Sequence, residues 1–157
     1  MTWKISWQHS TYAIRSEPAT AGHHWYRNAL IWETARPYLY LRTTDDNRIV
    51  IDVKDNDLSD PRKRDKALPG KAKALERAFE NLFPNIHFKT DLKWTGTFAS
   101  TKDGFPYIGS LAGKPHTCFA HGFGGNSITF SVLAAQIITR TALGLQDDET
   151  QLFGFNR

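Results

Sequence analysis

The sequence predicts an α+β fold in which antiparallel β-sheet dominates and one amphipathic helix packs beside it. Two observations lead to this prediction: most apolar residues lie in short runs rich in β-branched and aromatic residues, and a separate stretch shows amphipathic helical spacing. A chain of 157 residues with 40% hydrophobic and 23% charged residues suits one domain with a hydrophobic core and excludes a disordered protein. No uninterrupted apolar run approaches the length that spans a membrane.

The first half of the chain is predicted to form strands. Four runs carry the signal, at residues 10–15, 29–33, 38–43 and 48–53. The last two are the best hairpin candidate, because residues 45–47, Asp-Asp-Asn, favour a turn between them. Their polar flanking positions are typical of antiparallel strands.

A polar linker is expected at residues 54–66, followed by the amphipathic helix. The apolar residues on one face of this helix are Leu68, Ala72, Leu75, Phe79, Leu82 and Phe83. Pro69 suits the first helical turn, where its missing N–H has no partner to lose, and Pro84 ends the helix. Four segments are expected next: strands at 86–90 and 93–98, a tight turn at 102–104 and an extended piece at 106–109.

The most informative unit is a strand, a glycine-rich loop and a helix near the C-terminus. The strand at 117–121 is expected to be buried, the loop spans 122–127, and the helix spans 128–143 with Gly144 as its C-terminal cap. Glycines let the backbone approach a ligand and adopt positive φ, while the helix start near Asn126 offers N–H groups with partial positive charge. Together they favour an anionic or electron-rich group at the loop.

Gly122, Gly124 and Ser127 nearly complete the dinucleotide fingerprint G-x-G-x-x-G/A. That fingerprint also requires a following strand with an acidic residue about 20 positions later. The acidic residues 147–149 instead lie in a polar tail, so no βαβ unit can be completed after this loop. A second interpretation stays open, in which the loop serves only the close packing of helix against strand.

The closing helix is apolar nearly all round, and such a helix needs cover on several sides. Its apolar positions are Ile128, Phe130, Val132, Leu133, Ala134, Ala135, Ile137 and Ile138. The rest of the chain offers one amphipathic helix and a modest sheet as cover. We therefore expect a homo-oligomer or a partner chain to cover this helix.

Four segments follow one another in a characteristic order: WTGTF at 94–98, TKDGFPYIG at 101–109, FAHGFGGNSITFS at 119–131 and FGFNR at 153–157. In order and spacing they resemble the D-amino-acid-oxidase-type (DAO) family of FAD-dependent oxidoreductases, which includes glycine, sarcosine and γ-glutamylputrescine oxidases. Upstream, WETARPYLYLR at 32–42 is similar to the substrate-domain strand of the γ-glutamylputrescine-oxidase-like branch. The resemblance covers nearly the whole chain.

The resemblance implies FAD as the cofactor, with the flavin ring against the glycine loop. The implied cofactor contacts are Gly122, Phe123, Gly124, Gly125, Asn126, Ser127, Ile128 and Thr129. The helix behind the loop would stabilise negative charge that develops on the reduced flavin. The implied reaction takes a hydride from an amine carbon to the flavin, and water hydrolyses the resulting imine. No residue is assigned a catalytic role.

The candidate substrate contacts are Tyr38, Tyr40, Arg42, Phe98 and His121. The first three alternate along one strand and should share one face of the sheet. Contact with substrate and ordinary packing on the sheet surface both remain open for them. His121 immediately precedes the glycine loop.

The family's ADP-binding fingerprint has no counterpart in this sequence, so we expect a single truncated unit. Residues 1–115 are interpreted as the substrate-domain portion, and residues 116–157 as the flavin-facing strand, loop and helix of the flavin-binding domain. Such a chain should bind FAD weakly or not at all on its own and should be inactive alone. A different hypothesis is a non-catalytic module that self-associates, which would be colourless rather than yellow.

Departures from the family pattern narrow the expected substrate. Asp52 and Val53 stand where members usually have Gly-Gly, which puts close backbone approach there in doubt. Phe98 and Gly124 stand where amino-acid-oxidising members place arginines for the substrate carboxylate, so an amine-type substrate is favoured. Gly96 stands where sarcosine-oxidase relatives attach the flavin through a cysteine, which excludes a covalent flavin by that route.

Other patterns favour no metal or nucleic-acid site. The histidines considered as ligands show no convincing spacing with acidic or sulfur partners: His23, His24, His87, His116 and His121. The basic run 62–64 is interleaved with acidic residues and has no aromatic platform, which favours a solvated surface over nucleic acid. The single cysteine, Cys118, and an N-terminus without a signal-like apolar core favour a cytoplasmic protein or fragment.

Overall fold

The structure is a computed structural model that describes residues 5–19, 25–35, 38–54, 60–145 and 149–157. Its elements in chain order are β1 (Trp7–Ser16), β2 (Ile31–Trp32), β3 (Leu39–Thr43), β4 (Ile49–Lys54), α1 (Pro61–Leu82), β5 (Thr90–Ser100), β6 (Tyr107–Leu111), β7 (Lys114–His121), α2 (Ser127–Ala142) and α3 (Glu149–Phe153). The pairs β1–β4, β2–β3, β3–β4 and β6–β7 are antiparallel. The predicted α+β fold with antiparallel sheet is therefore confirmed.

The chain divides into two compact units. The first, His9–Thr97, holds most of a five-stranded sheet of order β2-β3-β4-β1-β5 together with α1. The second consists of Phe98–Arg157 and the described residues before His9, and it holds the two-stranded sheet β6-β7 with α2 and α3. The assignment of residues 1–115 and 116–157 to two functional portions stays a prediction.

The β3–β4 hairpin forms where the sequence predicted it. The Thr44 N–H donates to the Arg48 carbonyl at 2.9 Å and closes the turn. Asn47 supplies the left-handed residue with φ of 59°, a conformation that Asn tolerates better than most residues. The pairing places Leu41 opposite Ile51, and both side chains are buried. The alternation of apolar residues thus fixes which face of the hairpin meets the core.

Helix α1 covers that apolar face and completes the core of the first unit. The buried residues of this core are Tyr12, Ile14, Leu39, Leu41, Ile49, Ile51, Ala72, Leu75, Phe79 and Phe88. Phe79 is fully buried, with ring centroids 5.2 Å from Phe83 and 5.0 Å from Phe88. Three of the positions predicted on the apolar helix face, Ala72, Leu75 and Phe79, are therefore in the core, whereas Leu82 is 52% exposed.

The predicted linker was wrong, because α1 begins at Pro61 and not near Pro69. Asp60 caps the helix by accepting a hydrogen bond from the Arg62 N–H at 2.9 Å, and Pro61 occupies the first helical position. Charged residues that follow are tolerated in a solvated first turn and give no apolar periodicity. Pro69 therefore lies inside the helix. Residues 55–59 of the expected linker lie outside the described residues.

Two predicted strands are shorter than expected. Of residues 29–33 only Ile31 and Trp32 pair, and of residues 86–90 only Thr90 belongs to a strand, as the first residue of β5. Phe88 is instead buried in the core beside α1, so its apolar character serves packing and not a ladder. The signal was apolar content, which strands and buried loops share.

The second unit has a small core of its own, made by Ile108, Ala134, Ile137 and Phe153. The predicted turn before β6 forms: Gly104 has φ of 80°, and Asp103 Oδ1 accepts a hydrogen bond from the Phe105 N–H at 3.1 Å and lies 3.0 Å from the Thr101 hydroxyl oxygen. Helix α2 begins and ends within one residue of the prediction, and Gly144 follows it with φ of 72°.

The expected burial of the strand at 117–121 was wrong. Thr117, Cys118, Ala120 and His121 on β7 are exposed, and only Phe119 is partly covered. The reason is that β7 pairs with β6 alone in a sheet of two strands, so the described residues cover little of it. A continuous apolar run does not by itself show that a second layer is present.

Candidate functional site

The glycine loop lies between the end of β7 and the start of α2, and it is fixed to the last residues of β5. The Gly124 N–H donates to the Ala99 carbonyl at 2.8 Å, and Phe123 forms an isolated antiparallel bridge with Ser100. Gly122 and Gly124 have positive φ of 83° and 58°, which favours glycine at both positions. The loop conformation therefore depends on these glycines and on backbone hydrogen bonds.

Gly122 packs against Thr101 so closely that no side chain fits. A Cβ on Gly122 would lie 2.6 Å from the Thr101 Cγ2 atom. Thr101 is itself buried, and its hydroxyl donates to the Phe105 carbonyl at 2.7 Å. Gly122 therefore allows the loop to pack closely against Thr101, which is the role that the packing interpretation gives to the glycines.

The other side of the loop is open. A Cβ on Gly125 would meet nothing within 4 Å, and the four residues that follow it in the loop and first helical turn are exposed: Asn126, Ser127, Ile128 and Thr129. The Asn126 side chain makes no capping hydrogen bond. The first N–H groups of a helix have no partner within the helix, so here they are left available to an acceptor on the open side.

This arrangement fits the electron-rich edge of a flavin. The positive end of a 16-residue helix, with its first backbone N–H donors, lies next to Gly125, where a Cβ would meet nothing within 4 Å. The predicted cofactor contacts divide accordingly: Gly122 is buried, Phe123 and Gly124 are partly buried, and residues 125–129 are exposed. Their assignment as flavin contacts stays a prediction, and residues 125–129 are the ones with a surface to offer.

His121 and Phe98 belong to the same unit as the loop. The exposed His121 ring shares a hydrogen bond of 2.8 Å between its Nε2 atom and the Ser6 hydroxyl. Phe98 lies on β5 and is partly buried. Neither placement tests the predicted role in substrate binding.

Tyr38 and Tyr40 lie in the other unit and contact each other, as their alternation predicted. Their ring centroids are 5.0 Å apart with the planes at 81°. Burial, followed by the hydrogen bond to Tyr38 and the nearby Asp52 charge, raises the pKa of Tyr40 to about 12. Tyr40 is therefore a neutral phenol at physiological pH. Arg42 is exposed two residues after Tyr40 on β3, and it pairs with Val50.

Trp32 and Asp52 are neighbours of Tyr40 that the sequence interpretation did not assign to a site. Strand pairing sets Trp32 directly opposite Tyr40 on one side and Asp52 directly opposite it on the other. The Thr11 hydroxyl donates to Asp52 Oδ1 at 2.5 Å and also lies 2.9 Å from the Val53 carbonyl. Burial is the main cause that raises the pKa of the Asp52 carboxyl. An Asp inside the run Ile49-Val50-Ile51-Asp52-Val53 was the available signal.

Neither a metal-binding cluster nor a membrane-spanning helix occurs in the part of the chain that the structure describes. No group of three or more His, Cys, Asp or Glu residues there could hold a metal ion, and His23 and His24 lie outside that part. None of the helices described combines the length and apolar character needed to cross a membrane. In the basic run 62–64 on α1, Arg64 donates hydrogen bonds to the Asp65 carboxylate and the Thr97 hydroxyl, each at 2.8 Å.

An antiparallel α+β fold with a glycine loop held by backbone hydrogen bonds beside an uncapped helix start is consistent with a flavin-dependent oxidoreductase. A family model described as FAD dependent oxidoreductase (DAO) matches residues 6–141. The match covers most of the chain. The chain therefore belongs to the DAO family of FAD-dependent oxidoreductases, and the resemblance found in the sequence is confirmed at this level.

Three relatives show how much of the family architecture the chain represents. A probable oxidoreductase OrdL of Haemophilus influenzae is 35% identical over 69 residues, which are 43% of this chain and 15% of that protein. The glycine oxidase of Geobacillus kaustophilus matches with a TM-score of 0.67 and 17% identity over 92% of this chain and 37% of its own. The L-proline dehydrogenase of P. horikoshii matches with a TM-score of 0.65 and 16% identity, over 98% and 40%. The chain thus spans well under half the length of these relatives.

Proposed function

We propose that this chain supplies substrate-facing and flavin-facing residues of an oxidoreductase that oxidises the C–N bond of an amine. The observation that carries the proposal is the open side of the glycine loop at Gly125, next to an uncapped helix start, in a chain of an FAD-dependent family. The proposal places the chain nearest the γ-glutamylputrescine-oxidase-like branch, on the strength of the segment at 32–42. Arg36 and Pro37 of that segment lie outside the described residues.

In this proposal the loop residues bind and orient the flavin through their backbone. FAD, when bound, supplies the two-electron acceptor for the reaction. The first N–H groups of α2 would hydrogen-bond the electron-rich edge of the flavin, and the helix dipole would stabilise negative charge on it. The bond from the Gly124 N–H to the Ala99 carbonyl holds the loop in place, so that little reorganisation is needed during the reaction.

An amine suits the described residues better than a simple α-amino acid. Recognition of a substrate carboxylate usually calls for an arginine with its paired donors. The two positions where amino-acid-oxidising relatives were expected to carry arginine hold Phe98, which is partly buried, and Gly124, which has no side chain. Neither residue offers a cation, and this supports the amine.

The proposal also requires a segment that binds the rest of FAD, because no G-x-G-x-x-G fingerprint occurs among these 157 residues. That segment belongs either to the same polypeptide or to another chain. On α2, Ile128 is 84% exposed and Val132 is 58% exposed, so the helix has apolar surface for such a segment to cover. Without it, the 157-residue chain alone should bind FAD weakly and be inactive.

The test compares the chain alone with the chain fused to the part of the Haemophilus influenzae OrdL relative that lies outside the 69 matched residues. FAD binding is followed by flavin absorbance, and anaerobic bleaching is followed on addition of butylamine, 1,4-diaminobutane, glycine or proline. We expect bound FAD only in the fused protein, with bleaching by an amine. Bleaching by glycine or proline but by neither amine would contradict the amine assignment.

A pair of variants tests the loop itself. Gly125→Val places a branched side chain on the open face, and Gly70→Val makes the same change on α1, where a Cβ likewise meets nothing within 4 Å. In the fused protein we expect Gly125→Val to weaken FAD binding by about tenfold or more, since each lost donor contact is worth about 1–2 kcal/mol. Equal FAD affinity in the two variants would remove the loop from the cofactor site.

A second candidate function is a non-catalytic module that self-associates through α2. The exposed Ile128 and Val132 side chains favour self-association as much as they favour a separate FAD-binding segment that covers α2. Size-exclusion chromatography of the 157-residue chain separates the two: a colourless, stable homo-oligomer that gains no flavin when fused to the same part of OrdL supports the module.

We also propose a reducing, cytoplasmic location. Cys118 is the single cysteine of the sequence and is exposed as a free thiol on β7. Such a thiol persists most readily where disulfides do not form. Cell fractionation that recovers the protein from an oxidising compartment would refute this location.

A further inference from the structure

We infer that Asp52, Tyr40 and Trp32, with Tyr38 beside them, form a binding site for the positively charged group of an organic cation. These four residues are called the cation row below. The inference rests on the proposed function only in taking that cation to be an amine substrate. The row itself is argued from the sheet geometry of the first unit.

The strand register places the row on one face of the sheet. Trp32 pairs with Tyr40, and Tyr40 pairs with Asp52, so the three side chains follow one another directly across β2, β3 and β4. Directly opposite residues of antiparallel strands project to the same side with Cβ atoms about 5 Å apart. The neighbouring residues Leu39 and Leu41 are buried on the opposite face against α1.

The aromatic part of the row forms a contiguous π surface. The Trp32 and Tyr40 rings lie nearly parallel, at 15°, with centroids 6.4 Å apart. Tyr38 meets both edge-on, at 5.0 Å from Tyr40 and 6.3 Å from Trp32. Trp32 is 60% exposed, so a large part of its ring remains accessible to a ligand. Aromatic faces attract ammonium groups within about 6 Å of the ring centroid, and tryptophan does so most strongly.

Asp52 gives the row its negative charge. Its carboxylate accepts the Thr11 hydroxyl at 2.5 Å, and no ion pair joins it to a cationic side chain that the structure describes. Arg42 projects from the same face of β3, but its register partner is Val50. Arg15, on the neighbouring strand, donates to Asp91 at 2.7 Å. Burial is the main cause that raises the pKa of the Asp52 carboxyl, and the hydrogen bonds from Thr11 and the Val53 backbone partly offset it.

The charged form of the partly buried Asp52 carboxyl is stabilised by hydrogen bonds from the Thr11 hydroxyl and the Val53 backbone, and a bound cation would add a charge-assisted contact. An alkylammonium group can hydrogen-bond the carboxylate while its methylene groups lie on the rings, which a neutral alcohol does less well and a carboxylate ligand cannot do. The row therefore selects for positive charge. It also gives a role to an Asp that stands among the apolar residues of 49–53.

The test is a titration of the 157-residue chain, without FAD, followed by NMR of the tryptophan indole and backbone N–H groups. The probes are butylammonium, tetramethylammonium, 1-butanol and butyrate. Butylammonium and tetramethylammonium are cations, 1-butanol has the same butyl chain as butylammonium without a charge, and butyrate has a similar alkyl chain with a negative charge. We expect the two cations to shift the Trp32 indole signal and to bind about tenfold or more tightly than 1-butanol, because only they form a charge-assisted contact with the carboxylate. Equal binding of 1-butanol and butylammonium would overturn the inference.

Matched variants assign the charge to Asp52. Asp52→Asn keeps an oxygen for the Thr11 hydroxyl and removes the charge, whereas Asp45→Asn makes the same change in the exposed β3–β4 turn. We expect Asp52→Asn to weaken butylammonium binding by about tenfold or more and Asp45→Asn to leave it unchanged. Trp32→Leu, which keeps an apolar side chain, should weaken tetramethylammonium binding by about threefold or more. Wild-type affinity in both Asp52→Asn and Trp32→Leu would refute the site.

The outcome is separable from that of the proposed function. Cation binding that depends on Asp52, combined with no flavin bleaching by amines in the fused protein, would retain the site and reject the oxidation. Bleaching by amines together with binding at Trp32 that does not depend on charge would retain the amine oxidation and reject the cation site.

Discussion

Replacing Gly122 by alanine should destabilise the second unit through two separate effects. Gly122 has φ of 83°, a conformation that side chains with a Cβ adopt at a cost. The new Cβ would also lie 2.6 Å from the Thr101 Cγ2 atom, well inside the distance that two carbon atoms tolerate. Thr101 cannot easily turn away, because its hydroxyl bonds Asp103 and the Phe105 carbonyl.

The two effects have different magnitudes and can be separated. A left-handed backbone costs a residue with a Cβ about 1–2 kcal/mol. Forcing an additional carbon into a packed site costs about 1–3 kcal/mol. Gly122→Ala should therefore lower the free energy of unfolding by roughly 2–5 kcal/mol. Thr101→Ser removes the opposing methyl group and keeps the hydroxyl, at about 1 kcal/mol for the lost methyl group.

The assay is urea unfolding of the wild type, both single variants and the double variant, analysed as a double-mutant cycle. The double variant should be more stable than the sum of the single effects predicts, by about 1–3 kcal/mol, because the clash is present only when both the Cβ and the Cγ2 atom are there. Gly125→Ala in the same loop is the control and should change the free energy of unfolding by no more than about 0.5 kcal/mol. Additive effects of Gly122→Ala and Thr101→Ser would refute the packing argument.

Two further predictions concern charged groups. Burial raises the pKa of Asp52 in the folded state above its unfolded value of about 3.9. The stability of the wild type relative to Asp52→Asn should therefore fall as the pH rises from below the unfolded pKa through the higher folded pKa. Denaturant unfolding at several pH values measures this difference in stability, and a difference that stays constant with pH would contradict the prediction. Arg157 donates to the Phe105 and Pro106 carbonyls at 2.6 and 2.7 Å and lies 3.9 Å from the Tyr107 ring centroid. Arg157→Ala should therefore cost about 2–3 kcal/mol of unfolding free energy, against about 0.5 kcal/mol or less for the exposed Arg62→Ala, and equal losses would show that the C-terminal contacts contribute little.

Elements with strong local signals could be predicted from the sequence. The β3–β4 hairpin has apolar runs on both sides of Asp45-Asp46-Asn47, and α2 is bounded by Asn126 and Gly144. In both cases the turn or cap chemistry and the apolar pattern agree, so neighbouring residues alone determine the structure.

Features that depend on distant residues could not be predicted in the same way. The capped start of α1 at Asp60 lacks apolar periodicity, and the exposure of β7 depends on which layers are present to cover it. The row of Trp32, Tyr40 and Asp52 depends on the register of three strands, and one residue of slippage would send these side chains to the other face. Register is a property of the folded sheet, so the sequence could indicate Tyr40 as a candidate without showing its two neighbours.

The second unit is built from both ends of the chain, and this has a consequence for how it can form. The Ser6 hydroxyl bonds His121, 115 positions away, and the described residues before His9 belong with Phe98–Arg157. During synthesis Ser6 leaves the ribosome 115 residues before its partner His121 does. Closing so long a loop slows folding, so the unit beginning at His9 is free to assemble first. A shortened chain that starts at Phe98 would therefore lack the residues before His9 that belong to the same unit.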